Sequence, residues 1–156
     1  MAANAENIVT TKGASIGINY YLSKNFTFNG NYSWNKLNEE GTEDPIIPAY
    51  NTPEHKFNLG LSSREINFTK KPILRNYGFN INYKWIEGYE YEGSPQFTGF
   101  IPSYGLVDCQ ISKKIPKYSS TIKIGSTNLL NNLHYEVYGG PYIGRMNYIS
   151  ILFELK

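Results

Sequence analysis

Apolar and polar residues alternate with a period of two along most of this chain. Phe26, Phe28, Gly30, Tyr32 and Trp34 interleave with Thr27, Asn29, Asn31, Ser33 and Asn35. Successive strand side chains point to opposite faces, so this segment predicts a strand with one greasy and one polar face. The pattern recurs before it at Ile16, Ile18, Tyr20 and Leu22, and after it at Phe57, Leu59 and Leu61. It returns at Tyr77, Phe79, Ile81, Tyr83 and Trp85, then at Val107, Cys109 and Ile111. Ile122 and Ile124, then Ile149, Ile151, Phe153 and Leu155, complete it. The polar partners are mostly Asn, Ser, Thr, Gly and Lys. About seven strands follow from this pattern. Most are about 10 residues long, enough for a tilted strand to cross a bilayer.

The connections alternate in length. Ser23-Lys24-Asn25 is a tight turn, while 38–53 is long, acidic and bears Pro45. The stretch 64–75 is of medium length, basic and carries Pro72. The stretch 87–102 is long and holds Tyr89, Tyr91, Phe97 and Phe100. Lys114 to Ser119 is short, and 130–143 is long with Tyr135, Tyr138, Gly139 and Gly140. Short periplasmic turns and longer extracellular loops are the rhythm of a transmembrane barrel. Apolar faces also end in aromatics, Phe26 and Trp34 on one strand and Tyr77 and Trp85 on another. Such girdles mark the two interfaces of a membrane. The predicted fold is therefore all-β, an antiparallel up-and-down transmembrane β-barrel segment, incomplete as a barrel. Residues 1–156 read as a single unit. A soluble β-sandwich or lipocalin-like barrel also alternates, but its polar face carries more Glu and Lys.

Composition narrows the function. The 15 basic and 13 acidic residues nearly balance, which leaves no basic footprint for nucleic acid. No run approaches the ~20 apolar residues of a spanning helix, a test that alternating strands escape. Met1 to Asn7 has neither a positive n-region nor an apolar h-region, so it is not a signal peptide. An exported protein needs one, and the natural start is expected elsewhere. Cys109 stands alone, and His55 and His134 lie far apart without metal-ligand spacing. No metal, cofactor or catalytic set is predicted, because Asp108, His55 and the serines fit no nucleophile motif. The chain is not expected to be an enzyme. The acidic run Glu39, Glu40, Glu43 and Asp44 lacks EF-hand spacing and reads as a solvated loop. Gly139-Gly140-Pro141 reads as a turn rather than a phosphate site, since no helix pattern follows.

Two groups are candidate contact residues. Loop aromatics Tyr89, Tyr91, Phe97, Tyr135 and Tyr138 suit stacking on a sugar, peptide or metal chelate, and suit loop packing equally. Lys56, Lys84, Asp108 and Lys123 fall on the polar face, where they would meet substrate or plug, or simply solvate a lumen. Cys109 falls on the apolar face and reads as an inert lipid-facing residue.

The C-terminal third adds ordered motifs. Tyr104-Gly105-Leu106-Val107-Asp108 is followed by Gly125-Ser126-Thr127-Asn128-Leu129-Leu130-Asn131. Then come Tyr135-Glu136-Val137-Tyr138-Gly139-Gly140-Pro141-Tyr142-Ile143-Gly144-Arg145 and a final alternating strand, Met146 to Leu155. Asn51-Thr52-Pro53-Glu54-His55-Lys56-Phe57-Asn58-Leu59 precedes them. This series resembles the closing strands of TonB-dependent outer-membrane receptors over residues 7–156. In that family an Asn-Leu-Leu-Asn segment ends the penultimate strand, a Gly-Arg step starts the last, and Pro-x-His-x-Phe-Asn re-enters from an extracellular loop. The family's receptors usually end in an aromatic, whereas this sequence reads Phe153-Glu154-Leu155-Lys156. No segment looks like the family's plug domain or TonB box.

The resemblance implies the cell outer membrane of a Gram-negative bacterium. It also implies uptake of a scarce nutrient, such as a siderophore or glycan, powered by TonB through a plug domain. Outer-membrane lipid and the barrel assembly machinery would be further partners. About seven strands is an odd count, where single-chain bacterial barrels have even ones, about 22 in these transporters. The expectation is therefore a C-terminal fragment of a larger barrel. Two alternatives remain open. One is a small eight-stranded outer-membrane protein with a structural or adhesive role, using residues 1–12 as the eighth strand. The other is a soluble lipid-binding β-barrel.

Overall fold

The computed structural model describes residues 10–38, 51–93 and 96–154. The long strands are β1 (Thr10–Tyr21), β2 (Phe26–Asn38), β3 (His55–Ile66) and β4 (Tyr77–Ile86). Two short strands follow, β5 (Tyr89–Tyr91) and β6 (Gly99–Ile101). Then come β7 (Tyr104–Ile115), β8 (Ser120–Thr127) and β9 (Met146–Phe153). Seven of them form one antiparallel sheet in the order β1-β2-β3-β4-β7-β8-β9, and β5-β6 make a separate hairpin. The sheet is not closed, so β1 and β9 are its edges among the described residues. Residues 10–12 lie within β1, and the rest of the expected eighth strand lies outside the described residues.

Register keeps the two faces apart. Directly paired residues share a face, so Tyr20, Phe28, Leu61, Ile81 and Cys109 form one row across five strands. Asn19, Asn29, Gly60, Asn82 and Asp108 form the parallel row on the other side. A one-residue slip would exchange the faces, so the apolar pattern locks every pair. The apolar face stays open to its surroundings, with Ile16 70% and Ile149 73% exposed. The polar side carries a hollow of about 560 Å³, lined by Ser62, Asn80, Gln110, Ser112, Lys114 and Lys123 among others.

Aromatic belts hold both ends of the apolar face. At one end Phe57 stacks on Trp85 (5.5 Å between centroids) and meets Tyr83 edge-on, while Tyr32 stacks on His55. At the other end Phe26 meets Phe79 and Phe68 meets Tyr77, both edge-on. Such pairs stabilise by about 0.5–1.5 kcal/mol beyond area burial. Among the described strand pairs, one register is interrupted by a bulge. Register shifts between Ser63 and Ile66, where Glu65 takes φ 54. That bulge sets Glu65 3.6 Å from Lys114. The stretch 87–102, expected as a plain loop, contains the β5-β6 hairpin. Its strands are too short to show periodicity. The acidic run 39–44 lies outside the described residues.

Candidate functional site

The strand ends that bound the long connections, those of β2 and β3, of β4 and β7, and of β8 and β9, lie at the end of the sheet marked by Trp85 and His55. There the β5-β6 hairpin turns inward over the polar face. Ile101 is 1% exposed and packs with Ile86 and Tyr104, both also buried. Ile86 pairs with Lys56 and with Tyr104, which places this cluster on the polar side. Tyr89, Tyr91, Leu106 and Tyr135 surround it. Apolar residues on the polar face thus become a small core capped by a loop.

Specific bonds tie the loops together. The Asn51 side chain exchanges two hydrogen bonds with the Glu92 backbone, donating to its carbonyl (2.9 Å) and accepting from its N–H (2.7 Å). Glu87 accepts from the His55 N–H at 3.0 Å. Tyr135 Oη donates to the Phe100 carbonyl at 3.2 Å, and its ring meets Tyr138 and Tyr142 edge-on. Tyr138 covers Gly99 and Phe97 covers Gly139, where any Cβ would collide with the ring. Burial pushes the Tyr89 hydroxyl above its ordinary range, helped by the Glu136 carboxylate and then Tyr91. The five loop aromatics named from sequence are therefore brought into one assembly. Tyr89, Tyr91, Tyr135 and Tyr138 are half-buried in it, while Phe97 is exposed, as are neighbouring Phe100 and Tyr142. The outward-facing aromatic surface is made chiefly by the last three, two of which sequence reasoning did not single out.

The polar candidates separate. Lys84 faces Leu106 and is a diagonal neighbour of Asp108, with no ion pair between them. Asp108 accepts the Asn128 N–H at 2.8 Å, which gives it a place in the turn after β8. Asn128 is 3% exposed and takes φ 49. Its side chain donates to the Asn132 carbonyl and accepts the Asn132 N–H, both at 2.8 Å. Asn131 accepts the Arg145 N–H at 2.9 Å, joining the Asn-Leu-Leu-Asn and Gly-Arg segments. His134 Nδ1 donates to the Asn132 carbonyl, and its ring stacks on Tyr104 at 4.3 Å. A cluster of chemistry-bearing residues here is thus a structural clamp. Lys123 stands apart, in the polar hollow, and Lys56 pairs across to Ser33 and Ile86. No group of His, Cys, Asp and Glu suited to a metal occurs among the described residues. Cys109 is a half-buried free thiol on the apolar face.

Sheet order, face separation and end-clustered loops all have the form of barrel wall, and one comparison supplies the lineage. The family model described as TonB dependent receptor-like, beta-barrel matches residues 2–131. The chain belongs to this family. No curated protein matches the sequence. The TonB-dependent receptor-like match runs from before β1 to Asn131, so β9 lies beyond it, yet β9 pairs with β8 along Ser120–Thr127. Membership implies outer-membrane transport in a Gram-negative cell, in a system that works with TonB. The TonB-dependent receptor-like barrels are transporters rather than enzymes.

Proposed function

We propose that this segment is wall and extracellular loops of a TonB-dependent transporter that takes up a scarce nutrient, a siderophore, glycan or similar, across the outer membrane. The observation that carries the reading is the open sheet, apolar and belted by aromatics on one face, polar on the other. Edge strands β1 and β9 carry backbone groups that lipid cannot satisfy, so further strands must pair with them to close a wall. Energy coupling would come from a plug domain and TonB, and insertion from the barrel assembly machinery. The loop aromatics Tyr89, Tyr91, Phe97, Tyr135 and Tyr138 would shape the outer vestibule. Phe97, Phe100 and Tyr142 would offer the stacking surface. Lys84, Asp108 and Lys123 would line the path behind it.

A soluble lipid-binding barrel would gather its apolar side chains around a cavity. Here the larger hollow described is polar, and the apolar side chains lie on the opposite face, where Ile16, Ile18, Tyr32, Phe57 and Leu59 line only a shallower depression. The test is genetic. A strain lacking the gene should lose growth on one chelated or oligomeric nutrient as sole source, and complementation should restore it. Replacing Phe97, Phe100 and Tyr142 together with Ala should raise the half-saturating nutrient concentration roughly tenfold or more, as stacking contributes about 1–2 kcal/mol in such sites. Unchanged growth of the deletion strain on every such nutrient would remove the transport reading.

A further inference from the structure

The turn joining β3 to β4 differs from the other short turns. Across 67–76 it exposes Phe68, Ile73 and Leu74 beside Lys70, Lys71 and Arg75, and it contains no carboxylate. It is a built turn. The Phe68 N–H donates to the Leu74 carbonyl at 3.0 Å, the Asn76 N–H to Asn67 Oδ1 at 2.9 Å, and the Lys71 N–H to Thr69 Oγ1 at 3.2 Å.

Its lean is set by two residues on the apolar face. Tyr77 and Lys113 are register partners there. Phe68 packs edge-on against Tyr77 at 5.8 Å. Lys113 Nζ sits 4.3 Å above the Tyr77 ring and donates to the carbonyls of Pro72, Ile73 and Arg75. The ammonium group is occupied by the turn and pins it under the apolar face. The next turn adds exposed Lys117 and Tyr118. The nearby carboxylate Glu65 pairs with Lys114, which is on the polar side.

We propose that this turn docks anionic phospholipid headgroups at the periplasmic boundary of the membrane. Phe68, Ile73 and Leu74 sit at the level where acyl chains begin. Lys70, Lys71 and Arg75 extend their stems along that apolar surface and place their charges among the phosphates. Charge complementarity selects the occupant, because three exposed cations with no acidic neighbour in the turn meet a surface of fixed negative charge. The inference rests on the membrane-barrel reading above.

The test uses the full-length protein, reconstituted into vesicles of equal phosphatidylglycerol and phosphatidylcholine, with the lipids retained after detergent extraction counted by native mass spectrometry. Phosphatidylglycerol should be enriched. K70Q/K71Q/R75Q should cut that enrichment about tenfold or more, since each charge near an anionic surface is worth about fivefold in binding. F68S should also weaken it. K36Q, at the opposite end, should leave it intact. Equal enrichment in the triple variant, equal loss in K36Q, or displacement of the lipid by millimolar inorganic phosphate would each overturn the proposal. Failure of the wild-type protein to enter vesicles would instead overturn the membrane-barrel reading itself, and the docking surface with it.

Discussion

Asn128 shows how one side chain closes a long loop. It combines a left-handed backbone with two side-chain hydrogen bonds to Asn132, and its own N–H is held by Asp108. Asn128→Ala should lower stability by roughly 1–3 kcal/mol, because it strands buried polar groups. Asn128→Gly relieves the backbone conformation yet loses the same bonds, so it too should destabilise. The temperature of the folded-to-unfolded band shift on gels would measure both. A glycine variant as stable as the parent would assign the whole effect to φ. Tyr89 gives a pH prediction. Its folded pKa lies above the ordinary 10.0, so the folded state holds the proton more tightly than the unfolded one. Its contribution is thus full below pH 10 and falls as pH rises through the folded value. Glu136→Gln removes one cause of the rise, so it should make that alkaline loss smaller and end it at a lower pH. Amide exchange in 88–102 as a function of pH would show it.

At the scale of elements, the long strands were legible because burial on one face imposes period two. The β1-β2, β3-β4 and β7-β8 pairings follow from the shorter turns, which force neighbours to be antiparallel. The β5-β6 hairpin was not legible. Tyr89–Tyr91 and Gly99–Ile101 are too short to carry a period, and their place is set by contacts with Ile86 and Tyr104. Ile101→Ala should cost about 2–5 kcal/mol locally, as an emptied core site does. Hydrogen exchange should then speed up in the hairpin and in the Asn51–Glu92 clamp while β2 to β4 stay protected. Uniform acceleration across the sheet would mean that the hairpin is part of one cooperative unit with the wall. Of the loop aromatics named from sequence, Tyr89, Tyr91 and Tyr135 pack around the Ile86, Ile101 and Tyr104 cluster and Tyr138 meets Tyr135 edge-on, since tyrosine serves stacking and packing with the same ring. Sequence alone has no way to separate those uses.

For the whole molecule, the open edges and the exposed apolar face set the behaviour in water. The described residues bury only Ile86, Ile101 and Tyr104 as apolar core, far too little to hold a free-standing domain of this size. Size exclusion without detergent should give aggregates, and a sharp soluble monomer would count against the membrane-barrel reading. In bilayers, Trp85 stacks on Phe57 and Trp34 donates to Glu54 at 3.1 Å, so both indoles belong near an interface. Lipids brominated near the headgroup should quench their fluorescence more than lipids brominated near the chain ends. Stronger quenching from the chain ends would place the belts at the wrong depth.

By itself the sequence determined the seven long strands of the main sheet, the two faces, the aromatic belts and the family lineage. These are local and periodic properties, repeated at each strand, and an environment of lipid on one side and water on the other writes them directly into residue order. Tertiary structure alone decided three things. It folded the 87–103 segment back over the polar face. It made Asp108 the acceptor of the Asn128 N–H in the turn after β8. It bent the 67–76 turn outward through Lys113. Each depends on a contact between residues far apart in the chain, where a single side chain's reach, not any repeating pattern, selects the partner.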